Sequence, residues 1–292
     1  MNQLNVTPLA AKAMLVKLTV RRANLTRRDT SAESYIQSQL DDTSLVVNSK
    51  LFRDKTNPIN QIMSAASEVY TTHKDRTLAY VDKGPRLLPN TEYFDYSTEM
   101  RQRIQQVDNM MALHMPNYDK YVQLDIAYRS LRPNGRASVS DYPTMEEFQD
   151  RMGFDLKFSP LPEASHFLFD INEDDKAAFV QMMEQVEVGA RNEVIKTMLE
   201  PLSHLIEKLN KPIGTEGAIF RDSAIENIVS NLDRAKKLNV SDDPEISDMI
   251  GKLAQAVSVY QGTNVLRESP IVRDQAAKKL DEIARQMGAL FR

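Results

Sequence analysis

The residues able to move protons or hold a metal are few in this chain, and their spacing is wrong for the common devices. There are four histidines, His73, His114, His166 and His204, and none lies within four positions of another. A helical metal site of the HExxH type is therefore absent, since it needs two imidazoles one turn apart on the same face. His73 and His114 fall on apolar helical seams, where a packed, hydrogen-bonded ring is the simpler account. Cysteine is absent, which excludes disulfides, thiolate nucleophiles and thiolate zinc sites. With 9 glycines, the chain carries no GxGxxG, GxxxxGK[ST] or GxSxG run, so the backbone cradles for phosphate and the strained nucleophile turn are missing. Asp170, Asn172 and Asp174 open like a calcium loop, but Asp175 replaces the glycine needed for the sharp turn and Gln181 replaces the bidentate glutamate. Glu173, Asp174 and Asp175 instead suit the first turn of a helix, where they favour the positive end of its dipole.

Charge is the more informative signal. The net charge is -4, yet residues 1–90 carry 13 Lys and Arg against 8 Asp and Glu, while residues 141–190 carry 3 against 12. A basic front and an acidic middle can pair within the fold, pair between subunits, or serve separate partners. The basic front concentrates in Arg21, Arg22, Arg27 and Arg28, followed by Lys50, Arg53 and Lys55, a set able to track phosphates or bind an anion. Asp29, Asp41 and Asp42 interrupt it, and structural or solvated arginines are the plainer account. KGPR at 83–86 and RPNGR at 132–136 read as turns.

The elements that must position these residues follow from periodicity. Met14, Val16, Leu18 and Val20 alternate with more polar neighbours and predict a strand. Thr30 and Glu33 suggest a capping box for a short helix with Ala32, Tyr35, Ile36 and Leu40 inward, and Leu45-Val46-Val47 a short extended piece. Asn57 and Pro58 open a helix with Ile59, Ile62, Ala66, Val69 and His73 inward, continuing towards Tyr80. A second helix from Asn90 carries Phe94, Ser97, Met100, Ile104, Val107, Met111 and His114. Together, 58–82 and 91–115 read as an antiparallel hairpin. A third helix carries Tyr121, Leu124, Tyr128 and Leu131. Residues 154–158 and 166–171 have hairpin patterning and would share a sheet with the N-terminal strand.

Everything later is helical. Phe179, Met183, Val186, Ala190, Val194, Met198, Leu202, Leu205 and Leu209 trace one long seam. Asp243-Pro244 and Ser269-Pro270 open two further helices. The last carries Val272, Ala276, Leu280, Ile283, Met287 and Leu290 at heptad-like spacing. Such a stripe must be covered, by its own domain or by another subunit, and Val272, Leu280, Ile283 and Met287 are the residues that would touch a partner. The expected fold class is thus α+β, mainly α-helical, with a long antiparallel helical hairpin, a small antiparallel sheet and a helical C-terminal half. In sequence terms this gives an α+β region over 1–172, with the hairpin at 56–131 and the sheet at 14–22 and 154–171. A helical region follows over 173–292, ending in the amphipathic helix 270–291.

The strand with its basic segment, then KLFRDKTNPINQIMSAASEVY, YPTMEEFQDRMGFDLKFSPLPEASHF and GAIFRDSAIENI, resemble an uncharacterised family of tailed-phage and plasmid proteins. The likeness spans most of the chain and is most specific from Tyr142-Pro143 to Pro162. That family is similar to proteins encoded near ring-forming ATPases of the AAA class, which implies membership of a shared assembly and supplies no catalytic residues. The expected function is therefore a non-enzymatic, phage-type binding or assembly protein working through protein partners or self-association. No cofactor or metal is expected, and neither is a membrane span, which places the protein in the cytoplasm (that of the host if phage-encoded). The rival reading is a nucleic-acid-binding accessory protein using the basic N-terminal region.

Overall fold

The computed structural model describes residues 8–80, 84–131, 137–162, 172–212, 223–260 and 265–291. It has the expected class: mainly α-helical, with a small antiparallel sheet and a helical C-terminal half. The chain forms two compact units, each discontinuous in sequence. One comprises residues 1–17, 74–94 and 157–292, the other residues 18–73 and 95–156. Neither unit ends at residue 172, because strands β1 (Ala13–Arg21) and β6 (Gly153–Pro160) each run on from one unit into the other.

In the first unit, helix α7 (Glu173–Asn210) is the axis. Its seam of Met183, Val186, Ala190, Val194, Met198, Leu202, Leu205 and Leu209 is buried. Pro201 lies inside the helix without ending it. α7 packs against α8 (Ser223–Leu238) and α11 (Pro270–Gly288), and α9 (Pro244–Ser258) packs against α8 and α11. The expected starts are met by side-chain caps: Asn172 accepts from Asp175 N, Asp243 from Glu245 N and Ile246 N, and Ser269 from Val272 N. Such caps satisfy amides that the helix itself cannot. A buried Arg191 ties three of these elements together. Its guanidinium donates to Asp243 at 2.6 Å, to Glu245 at 2.7 Å, and to the carbonyl of Leu290 just beyond α11.

The sheet differs from expectation in its members. Its order is β4-β5-β1-β6, with β4 at Leu78–Ala79 and β5 at Arg86–Pro89. β1 and β6, both expected as strands of one sheet, are neighbours in it; residues 166–171, the expected hairpin partner of β6, lie outside the described residues. β5 pairs antiparallel with β1, Ala13 opposite Pro89 and Val16 opposite Arg86. Leu87 and Leu88 are both fully buried, so β5 has no polar face and no alternating signature.

Helix α3 (Pro58–Asp75) consequently stops short of Tyr80. Arg86 holds the following segment extended, donating to the hydroxyl of Thr77 at 2.7 Å and to its carbonyl at 2.9 Å. The link between α3 and α4 (Tyr93–His114) thus contains two strands rather than a short loop.

In the second unit, α3 buries the predicted set Ile59, Ile62, Ala66, Val69 and His73. α4 buries Tyr96, Ser97, Met100 and Val107, whereas Phe94, which belongs to the first unit, is exposed. The two helices run antiparallel: His73 Nδ1 meets Tyr96 Oη at 2.6 Å, and Glu68 lies 3.8 Å from Arg103 further along. Replacing Ile62 with Asp should cost about 3 kcal/mol or more, because the seam offers a carboxylate no partner. Urea unfolding of the variant should show a correspondingly lower midpoint. In the first unit, Leu280→Ala should cost about 2–5 kcal/mol by opening a cavity beside α7, measured the same way.

Candidate interaction surfaces

Helix α5 (Tyr118–Ser130) sits in a different rotation from that expected. Tyr118, Val122, Asp125 and Arg129 are buried, while Leu124 and Leu131 are exposed. The reason is electrostatic. Asp125 is 1% exposed and receives four donors: Arg129 Nε at 2.8 Å, the Tyr142 hydroxyl at 2.6 Å, and the backbone amides of Phe52 and Arg53, each at 2.8 Å. Arg129 reaches on to the carbonyl of Lys50 and to Ser49 Oγ. A buried carboxylate left without such partners would be strongly destabilising, so this network outweighs two leucines facing water. Burial on its own would push Asp125 up, but the Tyr142 hydroxyl, the Arg129 guanidinium and the Arg53 amide hold the carboxyl below its ordinary range. Burial, followed by that same carboxylate, pushes the Tyr142 phenol up.

The network fixes the 50–55 loop from beneath. Leu51 and Phe52 are buried, and Phe52 adopts φ 51°, a left-handed conformation unusual for a bulky residue. Asn60 Nδ2 donates to the carbonyls of Phe52 and Asp54, and Asp54 accepts from Thr56 N at 2.9 Å. Phe52 also meets the rings of Tyr118 and Tyr142 edge-on. Between these anchors, Lys50, Arg53 and Lys55 are exposed.

The four arginines of the basic front are divided. Arg22 donates to Ser67 Oγ and to the carbonyl of Ala66. Arg27 pairs with Asp141 at 3.0 Å. Arg28 forms a two-pronged pair with Glu33, at 2.8 and 2.5 Å. Arg21 is exposed, and its guanidinium lies so close over Gly153 that a Cβ there would stand 2.7 Å from Nη2. Three of the four are thus already engaged within the unit, as structural arginines.

Helix α2 (Thr30–Leu40) also departs from expectation. Its N-cap is Asp29, which accepts from Ala32 N; Thr30 does not fill that place, and Glu33 answers to Arg28. Tyr35 and Leu40 are 67% and 65% exposed, and Val46 beyond the helix is 58% exposed. Leu45-Val46-Val47 is not a strand; the short ribbon pairs β2 (Thr26–Arg28) with β3 (Asn48–Lys50). Polar groups hold the helix down. Gln37 Nε2 donates to the carbonyls of Thr43 and Leu45, and Glu33 accepts from Val47 N. Periodicity marks which residues are apolar, but the side on which a helix docks is set here by Glu33 and Gln37.

The C-terminal stripe is spent internally. Leu280, Ile283 and Met287 are buried and Val272 packs against the same core, facing α7 and α9. They do not form a free partner surface, because two helices of their own unit already cover them. His114 meets the Tyr121 hydroxyl at 3.0 Å, and His204 is exposed; His166 lies outside the described residues. Among the described residues there is no group of three or more His, Asp or Glu able to hold a metal, and no helix long and apolar enough to cross a membrane.

Asp125 yields a signed pH prediction. Its folded pKa is depressed, so its contribution is fully present above the unfolded value of about 3.9 and is lost as pH falls through the folded value. Asp125→Asn should lower stability at pH 7 by about 3–5 kcal/mol and flatten the acid limb of the stability curve below about pH 4. Denaturant titrations at several pH values would test both. No protein-family model, curated protein or solved structure matches this chain.

Proposed function

We propose that this protein is a non-enzymatic binding or assembly component, of the phage type its sequence resembles, acting through protein contacts in the host cytoplasm. The observation that carries the reading is the segment around α2. Tyr35, Leu40 and Val46 stand in water while Glu33 and Gln37 anchor the segment by hydrogen bonds. Exposed apolar side chains along one short, anchored segment offer surface that an interface can bury, and tyrosine is among the residues most enriched there. The polar groups of the second unit support the same view. Asp125, Arg129 and Tyr142 satisfy one another and the backbone, an arrangement that stabilises and positions a loop.

The test is co-purification of the tagged protein from its native cell, with and without nuclease, beside a Tyr35→Ser/Leu40→Ser/Val46→Ser variant. Wild-type protein should retain a nuclease-resistant partner and the variant should lose it. The melting temperature of the variant should change little, since surface substitutions typically act within about 0.5 kcal/mol. Co-elution that disappears with nuclease and ignores the variant would favour the nucleic-acid reading through Lys50, Arg53 and Lys55.

A further inference from the structure

The 50–55 loop is anchored by more side-chain bonds than a plain connection needs. Its two inward residues, Leu51 and Phe52, are buried, Phe52 is held left-handed, and its amides and carbonyls are bound by Asp125, Arg129 and Asn60. What this holds outward is Lys50, Arg53 and Lys55, which make no ion pair among the described residues. A preset loop presents its charges without the ordering cost that flexible side-chain carriers incur on binding.

Two observations bear on the anion it suits. The rings of Phe52, Tyr118 and Tyr142 beneath the loop are buried, so none of these three offers bases a stacking face, and Arg22, Arg27 and Arg28 already bond to groups of their own unit, Arg22 and Arg28 while still exposed. A nucleic-acid track needs an extended cation row or stacking surfaces; a short acidic protein element needs neither. This chain carries such an element. Helix α7 begins with Glu173, Asp174 and Asp175, all exposed, and Asp174 and Asp175 make no ion pair among the described residues.

We infer that the 50–55 loop docks the acidic first turn of α7 in a second copy of this chain. The contact is heterologous, joining different surfaces on the two copies, so repetition produces a ring or a filament according to whether the rotation closes. The inference rests on the reading of a protein that works through protein contacts and names one of them.

The full-length protein is examined by sedimentation velocity at roughly 50 mM and 500 mM salt, a range over which charge screening changes several-fold. Two variants accompany it: Lys50→Glu/Arg53→Glu/Lys55→Glu, and Glu173→Lys/Asp174→Lys/Asp175→Lys. Wild type should self-associate at low salt and dissociate at high salt. Each variant alone should associate at least about tenfold more weakly. An equimolar mixture of the two should recover association, since each reversed surface then meets its complement. Melting curves establish that both are folded; if the α7 variant is not, Asp174→Asn/Asp175→Asn replaces it and should weaken association in the same direction. A wild type that stays monomeric at low salt overturns the inference, as does failure of the folded mixture to associate. So does a loop variant that loses salt-dependent binding to an oligonucleotide while self-association is untouched. The Tyr35→Ser/Leu40→Ser/Val46→Ser variant should self-associate normally. If it alone abolishes self-association, the loop inference fails while the broader protein-contact reading stands.

Discussion

A carboxylate removed from water must be surrounded by donors, and much of the second unit is arranged around meeting that demand at Asp125. Its oxygens take Arg129 from the same helix, Tyr142 from beyond the 132–136 segment, and two amides from the 50–55 loop. Each donor fixes an element that would otherwise be loosely determined. The α5 rotation follows, since Asp125 and Arg129 one turn apart must both face inward. The left-handed turn at Phe52 follows as well, because consecutive amides have to converge on one carboxylate. Even the ring packing of Phe52 against Tyr118 and Tyr142 is registered by these bonds.

Arg191 does comparable work in the first unit with the opposite charge. It lies on the long helix, and its partners are the cap of α9, an acidic residue in the first turn of α9, and a carbonyl beyond α11. Because Asp243 is at once the cap of α9 and the partner of Arg191, the start of that helix and its docking on α7 are set by one side chain. The apolar seam around it supplies the bulk of the burial, which is non-directional. The ion pairs supply the register. In both units a single buried charge selects among packings that hydrophobic area alone would leave nearly equivalent.

The proposed binding role draws on the surfaces left over. Buried polar groups are consumed in positioning, whereas α2 leaves tyrosine, leucine and valine in water and the 50–55 loop leaves three cations there. Both features sit on elements held by polar bonds from below, so they keep their shape without a partner present. That combination of a rigid support with exposed apolar and charged groups is how interfaces limit the entropy lost on association.

The long helices and their inward faces were legible in the order of the amino acids. Seams at three and four residue spacing in α3 and α7, the caps Asn57, Asp243 and Ser269, and the alternation of β1 and β6 all arise from local chemistry. Local rules also explain the absence of familiar metal and phosphate motifs, since those depend on fixed spacings. The remaining features depend on contacts between segments far apart in the chain. β4 and β5 exist because Arg86 and the neighbouring strand hold extended a stretch that periodicity divided between the end of a helix and a short loop. α2 and α5 turned away from their apolar prediction because Glu33, Gln37, Asp125 and Arg129 found partners distant in sequence or on another element. Hydrophobic periodicity reports where a helix is greasy; a buried charge and its donors decide which way it faces, and those donors come together only in the folded chain.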